Sequence, residues 1–353
     1  MCPLLRYPDA GRIAVGVPNW LGDACMATPA LRAIRENYPR AHVTLVAREY
    51  VASLFEGANW YDEIVVYEKT FGSVREKAAA LSRERRDLGI LLSNSFRTAL
   101  LFRLARVRRR VGFSRDFRGP LLTDRLHAMR AGFRRLRFPT LDSYLAILYH
   151  LGIKVRSRAL ELALTEEGRA GAEAFYREHG VKEGDLLVGL APGAAFGAAK
   201  CWPPESFAAA ADLFAERFGA RAIVFCGPYE EETASRIVAA AKKPLLTTAG
   251  RNFGLGVFKA LVARLGLLVT NDSGPRHFGA AFGVPTVTVF GPTQQELTYT
   301  HYDREIALQK DVECGPCQLR ICPLDHRCMT GISPEEVFEA GRRLLGSARV
   351  PKA

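Results

Sequence analysis

The sequence predicts an α/β chain of two doubly wound, Rossmann-like halves facing across a cleft. Three observations point there. Short β-rich apolar runs alternate with helical patterns in both halves. The alternation is interrupted once, by a polar stretch near the middle. The length of 353 residues is too great for one ordinary core and comfortable for two. The boundary falls at 165/166, giving an N-terminal domain of 1–165 and a C-terminal domain of 166–353, whose last helix can pack back on the first domain.

In the first half, residues 12–18 (RIAVGVP), 43–47, 63–67 and 88–93 read as strands. Helical patterns run through Ala30, Leu31 and Ile34 to a stop at Pro39, through Thr98–Ala105, and around Leu141–Leu151. The segment from about residue 108 to 128 is rich in Arg, Gly and turn residues and reads as a long basic surface excursion. Residues 154–184 give a linker and one polar helix. Alternation then restarts, with strands at 185–192, 221–227, 266–270 and 285–291 and helices at 205–218, 230–241, 275–282 and 334–345.

Composition is that of an ordinary globular protein, 48% hydrophobic and 24% charged, which excludes whole-chain disorder. No apolar run reaches the roughly 18 residues that span a bilayer. The opening MCPLLRYPDAGR is too short and polar for a signal peptide, so the chain reads as cytoplasmic. Net charge is +12, and twelve arginines lie between Arg103 and Arg137 against only Asp116 and Asp124. Such a run attracts nucleic acid, anionic lipid or a phosphorylated glycolipid, or it is a solvated face.

In open parallel sheets ligands bind beyond the carboxyl ends of the strands, so residues just after strands carry the functional signal. In the second half, TNDSGPRH (270–277) ends a strand and starts a helix, with Pro275 suited to the first helical position. Free N–H groups at such a start, backed by the helix dipole, bind phosphate. Ser273 adds a hydroxyl, His277 a ring N–H and Gly274 close backbone approach; alternatively Asp272 or Ser273 only caps the helix. Lys200, in the Gly/Ala-rich loop 191–207, suits a diphosphate. Among Glu230, Glu231 and Glu232, carboxylates can accept from a ribose diol or simply favour a helix start. In the first half, Asn19, Trp20, Gly22 and Asp23 follow the first strand; Gly22 eases the turn, and Asp23 is either a general base for an acceptor hydroxyl or an N-cap. No G-x-G-x-x-G follows the first strand and no Walker A motif is present, which argues against a dinucleotide or NTP site. The absence of D-x-D fits a site that neutralises its leaving group without a metal.

Taken together, N-W-L-G-D (19–23) with M-x-x-P (26–29), T-N-D-S-G-P-x-H (270–277) and G-V-P-T-x-x-x-F-G-P-T (283–293) resemble the ADP-heptose:lipopolysaccharide heptosyltransferases, glycosyltransferase family 9. N-S-F-R-T-A-L-L (94–101) and C-G-P-C-x-x-R-x-C-P (314–323) resemble the heptosyltransferase II branch. The resemblance implies a GT-B fold, an ADP-heptose donor, a Kdo-lipid A core acceptor carrying the first heptose, and inverting transfer without metal or cofactor. It implies Asp23 as base, with Lys200, Glu230, Asp272, Ser273, Gly274 and His277 on the donor. Asn19, Trp20, Gly22, Asn94 and Arg97 fall on the acceptor side. Arg276 stands where an apolar residue is common in the family, either adding to diphosphate binding or facing solvent. A monomer working peripherally on the inner face of the inner membrane, with no nucleic-acid partner, is the expectation. A basic nucleic-acid binder, with Phe113, Phe117, Phe133 and Phe138 among its arginines, and a GT-B enzyme using another nucleotide sugar are the competing readings.

Cys314, Cys317, Cys322 and Cys328, with His326 nearby, remain outside this scheme. Four thiols at such spacing can hold Zn²⁺ or an iron–sulfur cluster, although no zinc-ribbon pattern matches, or they can pack reduced or pair under oxidation.

Overall fold

The structure, a computed structural model, describes residues 6–347 apart from 129, 132, 133, 136, 137 and 228. Phe133 and Arg137 of the basic run therefore lie outside the described residues. The chain forms two compact units. One comprises the residues up to Ala163 together with Glu296–Thr300; the other comprises Leu164–Gln295 and the chain from His301 on.

The first unit is built on β1 (Arg12–Gly16), β2 (His42–Ala47), β3 (Glu63–Val66), β4 (Leu88–Leu91), β5 (Arg109–Phe113) and β6 (Asp124–Leu126), all parallel in the order 3-2-1-4-5-6. A short antiparallel pair, β7 (Arg130–Ala131) and β8 (Arg134–Arg135), follows. The helices are α1 (Leu21–Met26), α2 (Thr28–Asn37), α3 (Glu49–Ala52), α4 (Phe71–Ser82), α5 (Phe96–Leu104) and α6 (Thr140–His150). The near-continuous apolar runs of β1, β2 and β4 follow from burial on both faces, as parallel sheets require. Phe102 of α5 fills the space over Gly89, where a Cβ would stand 2.7 Å from its ring.

The basic excursion read from the sequence is corrected here: residues 109–113 and 124–126 are strands of the main sheet. Arginine dilutes their apolar pattern, and only Val111 and Gly112 of β5 are buried. The arginines of the run whose side chains the structure describes also fail to make one patch. Arg103, Arg106, Arg108 and Arg109 are exposed at the amino-terminal edge of the sheet, whereas Arg118 is fully buried beyond its carboxyl edge.

The second unit repeats the plan with α7 (Glu166–Glu178), β9 (Leu187–Ala191), α8 (Pro204–Phe218), β10 (Arg221–Val224), α9 (Glu231–Ala240), β11 (Leu246–Thr247), α10 (Leu255–Ala263), β12 (Leu267–Asn271), α11 (Gly274–Ala281), β13 (Thr286–Phe290), β14 (Glu305–Gln309), α12 (Arg327–Thr330) and α13 (Pro334–Ser347). Its parallel strands run β11-β10-β9-β12-β13-β14, the same order as the first sheet. The core joins Val188, Leu190, Trp202, Phe207, Phe214, Leu267, Val269 and Val287. The last helix contributes Val337, Ala340 and Leu344 to this core and packs on α8, with Gly341 set against Phe214. It therefore belongs to the second unit.

Strand order reverses between β1 and β4 in one unit and between β9 and β12 in the other. Such switch points open crevices at the carboxyl ends of the strands. The loops after these four strands carry most of the residues singled out by sequence.

Candidate active site

The anion side of the second unit starts where the buried strand β12 ends. Asn271 turns its amide inward: Oδ1 accepts from the Trp202 N–H at 3.0 Å and Nδ2 donates to the Pro192 carbonyl at 2.5 Å. The loop after β9 is thus tied to the end of β12. Trp202, fully buried, anchors the loop further through Nε1 on the Ile332 carbonyl at 2.9 Å.

This tie brings Lys200 to Asp272. Lys200 Nζ donates to Asp272 Oδ2 at 2.6 Å and to the Asp272 carbonyl at 2.9 Å, and Thr293 Oγ1 donates to Oδ2 at 2.7 Å. Burial alone would raise the Asp272 pKa. The charges of Lys200 and Arg276 and the two side-chain hydrogen bonds outweigh it and hold the carboxyl below its usual range. An ammonium has three donors; two go to Asp272 and the third is left for a ligand oxygen.

Ser273 is the N-cap residue of α11 with extended backbone, yet its side chain makes no capping bond. Its Oγ is buried and meets no hydrogen-bond partner among the described residues. An unpaired buried hydroxyl costs about 1–3 kcal/mol, so its retention beside the helix-start N–H of Gly274 suits an anion. Asp272 is no cap either, since its carboxylate is spent on Lys200 and Thr293. His277, in the first turn, is 3% exposed. Burial, reinforced by Arg276, depresses its imidazole to about 3, so the ring is neutral at neutral pH. Arg276 does not face solvent: its guanidinium pairs with Glu305, with Nη2 3.0 Å from Oε2, lies 3.5 Å from Asp272 Oδ1, and covers the Phe290 ring.

Glu230 separates from its neighbours. Glu231 and Glu232 are exposed in the first turn of α9, where acids favour the helix dipole. Glu230 precedes the helix, and its Oε2 accepts from the Gly227 N–H at 2.8 Å. Its carboxylate also lies directly over Gly193, where any Cβ would collide with it. The loops after β9 and β10 thus enclose one carboxylate, whose pKa burial raises against the opposing Gly227 bond.

In the first unit, Asn19 and Trp20 make the turn after β1. The Asn19 carbonyl accepts from Tyr50 Oη, and its Oδ1 accepts from Tyr67 Oη at 3.4 Å. Trp20 is half exposed. Gly22 is the second residue of α1, in helical conformation, so it does not ease the turn as the sequence suggests. Asp23 sits in the first turn of α1, half-buried, close enough to Tyr144 on α6 to help raise that phenol, after burial itself. After β4, Asn94 Oδ1 accepts from Arg118 Nη2 at 3.0 Å, and Arg97 is exposed in the first turn of α5.

Sequence reasoning missed Arg118. It donates through Nε to the Phe113 carbonyl at 2.8 Å and through Nη1 to the Ser93 carbonyl, bracing the ends of β4 and β5. Burial lowers its pKa to about 10, still fully charged at neutral pH. It was hidden by lying among eleven other arginines. Thr293 was visible only as part of a post-strand turn.

Two parallel sheets of this order, each with a switch point at its carboxyl edge, are those of a glycosyltransferase of the GT-B type. The chain belongs to glycosyltransferase family 9 (heptosyltransferase), whose family model matches residues 74–327. It is similar to a family 9 glycosyl transferase from Veillonella parvula, with 29% identity and a TM-score of 0.86 over 96% of this chain and 98% of that one. It is similar also to Escherichia coli ADP-heptose LPS heptosyltransferase II, with 25% identity and a TM-score of 0.80 over 96% and 100%. The lipooligosaccharide heptosyltransferase 2 of Campylobacter jejuni serotype O:2 is 26% identical over 96% of this chain and all of that protein.

Proposed function

We propose that this glycosyltransferase moves L-glycero-D-manno-heptose from ADP-heptose to the inner core of lipopolysaccharide, on a Kdo-lipid A acceptor already carrying one heptose, with inversion and without metal. The observation that carries the donor side is the Lys200–Asp272–Thr293 cluster beside the orphan Ser273 hydroxyl at the start of α11. The named relatives support the sugar and the acceptor.

The donor's diphosphate lies on the N-terminus of α11, taking hydrogen bonds from Ser273 Oγ, the Gly274 amide and the third N–H of Lys200. Asp272 orients Lys200 through their 2.6 Å pair, and His277, neutral, offers a ring N–H without adding charge. Glu230 accepts from the ribose hydroxyls. Asp23 removes the proton from the acceptor hydroxyl as that oxygen attacks the anomeric carbon and ADP departs from the opposite side, which inverts the centre. Charge growing on ADP is stabilised by Lys200 and the helix start, each such donor contributing on the order of 10²–10³ in rate. Asn19, Trp20, Gly22, Asn94 and Arg97 form the acceptor side, and Arg118 fixes Asn94. No helix among the described residues is long and apolar enough to cross a membrane, which suits a monomer working peripherally at the inner leaflet.

The test is incubation with ADP-heptose and a heptose-I core acceptor, followed by mass spectrometry of the glycolipid. A gain of one heptose is expected, unchanged by EDTA. Stabilisation in a thermal shift by UDP or GDP but not ADP would point to another nucleotide sugar. Loss of turnover in EDTA, restored by Mg²⁺, contradicts the metal-free reaction.

A further inference from the structure

The second unit holds another group of reactive side chains that the transfer reaction does not use. Cys314, Cys317, Cys322 and Cys328 lie within one fifteen-residue stretch. All four line a single small cavity with Ala199, Pro292 and His326, and none is in a disulfide. Other ligand types at this cavity are engaged: Asp325 accepts from Arg327 Nε at 2.9 and 3.1 Å, and His326 Nε2 bonds the Ala199 carbonyl at 2.8 Å. The Leu324 amide donates to Cys322 Sγ at 3.4 Å.

The stretch has no hydrophobic reason to keep one conformation. Its large apolar side chains face outward, with Leu319 45%, Ile321 76% and Leu324 60% exposed, so burial does not offset its ordering entropy. Yet it braces the anion cradle. The Arg320 carbonyl accepts from the Ala199 N–H at 3.0 Å, and the Gln318 N–H donates to the Pro292 carbonyl at 2.8 Å. The Arg320 carbonyl also lies where a side chain at Gly197 would stand. Ala199 adjoins Lys200 and Pro292 adjoins Thr293, so the two loops that hold Asp272 rest on a segment that lacks a core of its own.

We propose that Cys314, Cys317, Cys322 and Cys328 bind one soft divalent metal ion, Zn²⁺ or Fe²⁺, which staples this segment to the two loops of the anion cradle. Thiolates suit either ion. As the side chains stand, no three described His, Cys, Asp or Glu groups are close enough to hold an ion; uptake draws the sulfurs inward, the exposed segment giving way. Each ligating thiol loses its proton to solvent, so affinity rises with pH.

Protein purified anaerobically without chelator is analysed for metal, then stripped and titrated separately with Zn²⁺ and Fe²⁺. One equivalent per chain is expected, with four thiols protected from a thiol reagent and slower proteolysis within 314–328. Thiolate-to-iron absorption, in the near ultraviolet for Fe²⁺ and in the visible once air has oxidised it to Fe³⁺, marks iron; its absence with bound zinc marks zinc. C317S and C322S, at exposed and half-buried positions, keep native circular dichroism and lose the ion. A chain that takes up neither metal under any of these conditions overturns the proposal, as does metal that both variants retain. None of these measurements depends on which sugar is transferred.

Discussion

Asp23 and His277 are the residues whose chemistry is most exposed to test. An Asp23→Asn chain keeps the half-buried position on α1 but cannot take a proton. It is expected to lose about 10²–10⁴ in turnover while ADP affinity, which the proposal assigns to the second unit, stays within a factor of about two; near-normal turnover removes Asp23 from the role of base. His277 makes a prediction about pH. Its folded value of about 3 lies below the ordinary imidazole value of 6.5, so between those values the unfolded chain holds a proton that the folded chain does not. Stability must then fall as pH drops below about 6.5 and go on falling toward about 3. Asp272, with its pKa lowered from 3.8, adds its own loss only below the ordinary carboxylate range. Thermal midpoints measured between pH 7 and 5 should therefore flatten in a His277→Gln chain, and an unchanged slope contradicts a buried neutral ring. These residues were legible as candidates because each lies just beyond the end of a strand. Their partners were not: that Lys200 meets Asp272, or that Arg276 turns to Glu305 on β14, depends on pairing across 72 and 29 positions of sequence.

At the scale of elements, loops are positioned by what fixes their ends. Glu230 is held by the meeting of two post-strand loops over Gly193, and a Gly193→Ala chain tests this. The obstructing atoms belong to the far end of the Glu230 side chain, so the fold should survive and the carboxylate should swing out. Expected are a thermal midpoint within a few degrees of the parent and a loss of ADP affinity close to that of Glu230→Ala. Equal ADP affinity in Gly193→Ala and the parent excludes the ribose contact. Strands with unbroken apolar runs, such as β9 and β13, were readable from sequence, as were the amphipathic helices. The missed elements share a physical cause. β5 is diluted by arginine, β6 is three residues long, and β14 is a half-buried edge strand whose pattern differs little from a loop. α10 is apolar nearly all round, which removes the stripe that identifies a surface helix.

For the whole molecule, the charge distribution has to be read from the fold. The net charge of +12 and the arginine run suggested one polyanion-binding patch, but the sheet divides the run. Arg118 is interior, Arg110 donates to the Val107 and Leu121 carbonyls at 2.5 and 2.7 Å, and Arg103, Arg106, Arg108 and Arg109 face solvent at the edge remote from Asn19 and Asn94. If these four meet the inner leaflet, each adds about 1 kcal/mol near an anionic surface. Replacing all four by glutamine should then abolish sedimentation with phosphatidylglycerol vesicles at low salt and leave turnover on a short soluble acceptor unchanged. Retained sedimentation assigns membrane contact to another surface.

The membership of Glu296–Thr300 in the first unit has a practical consequence for dissection. Because the polypeptide leaves one body, enters the second and returns for five residues before leaving again, no single cut yields both bodies complete. A fragment ending at residue 163 lacks a piece encoded more than a hundred codons downstream, and complementation by mixing two halves has to restore it.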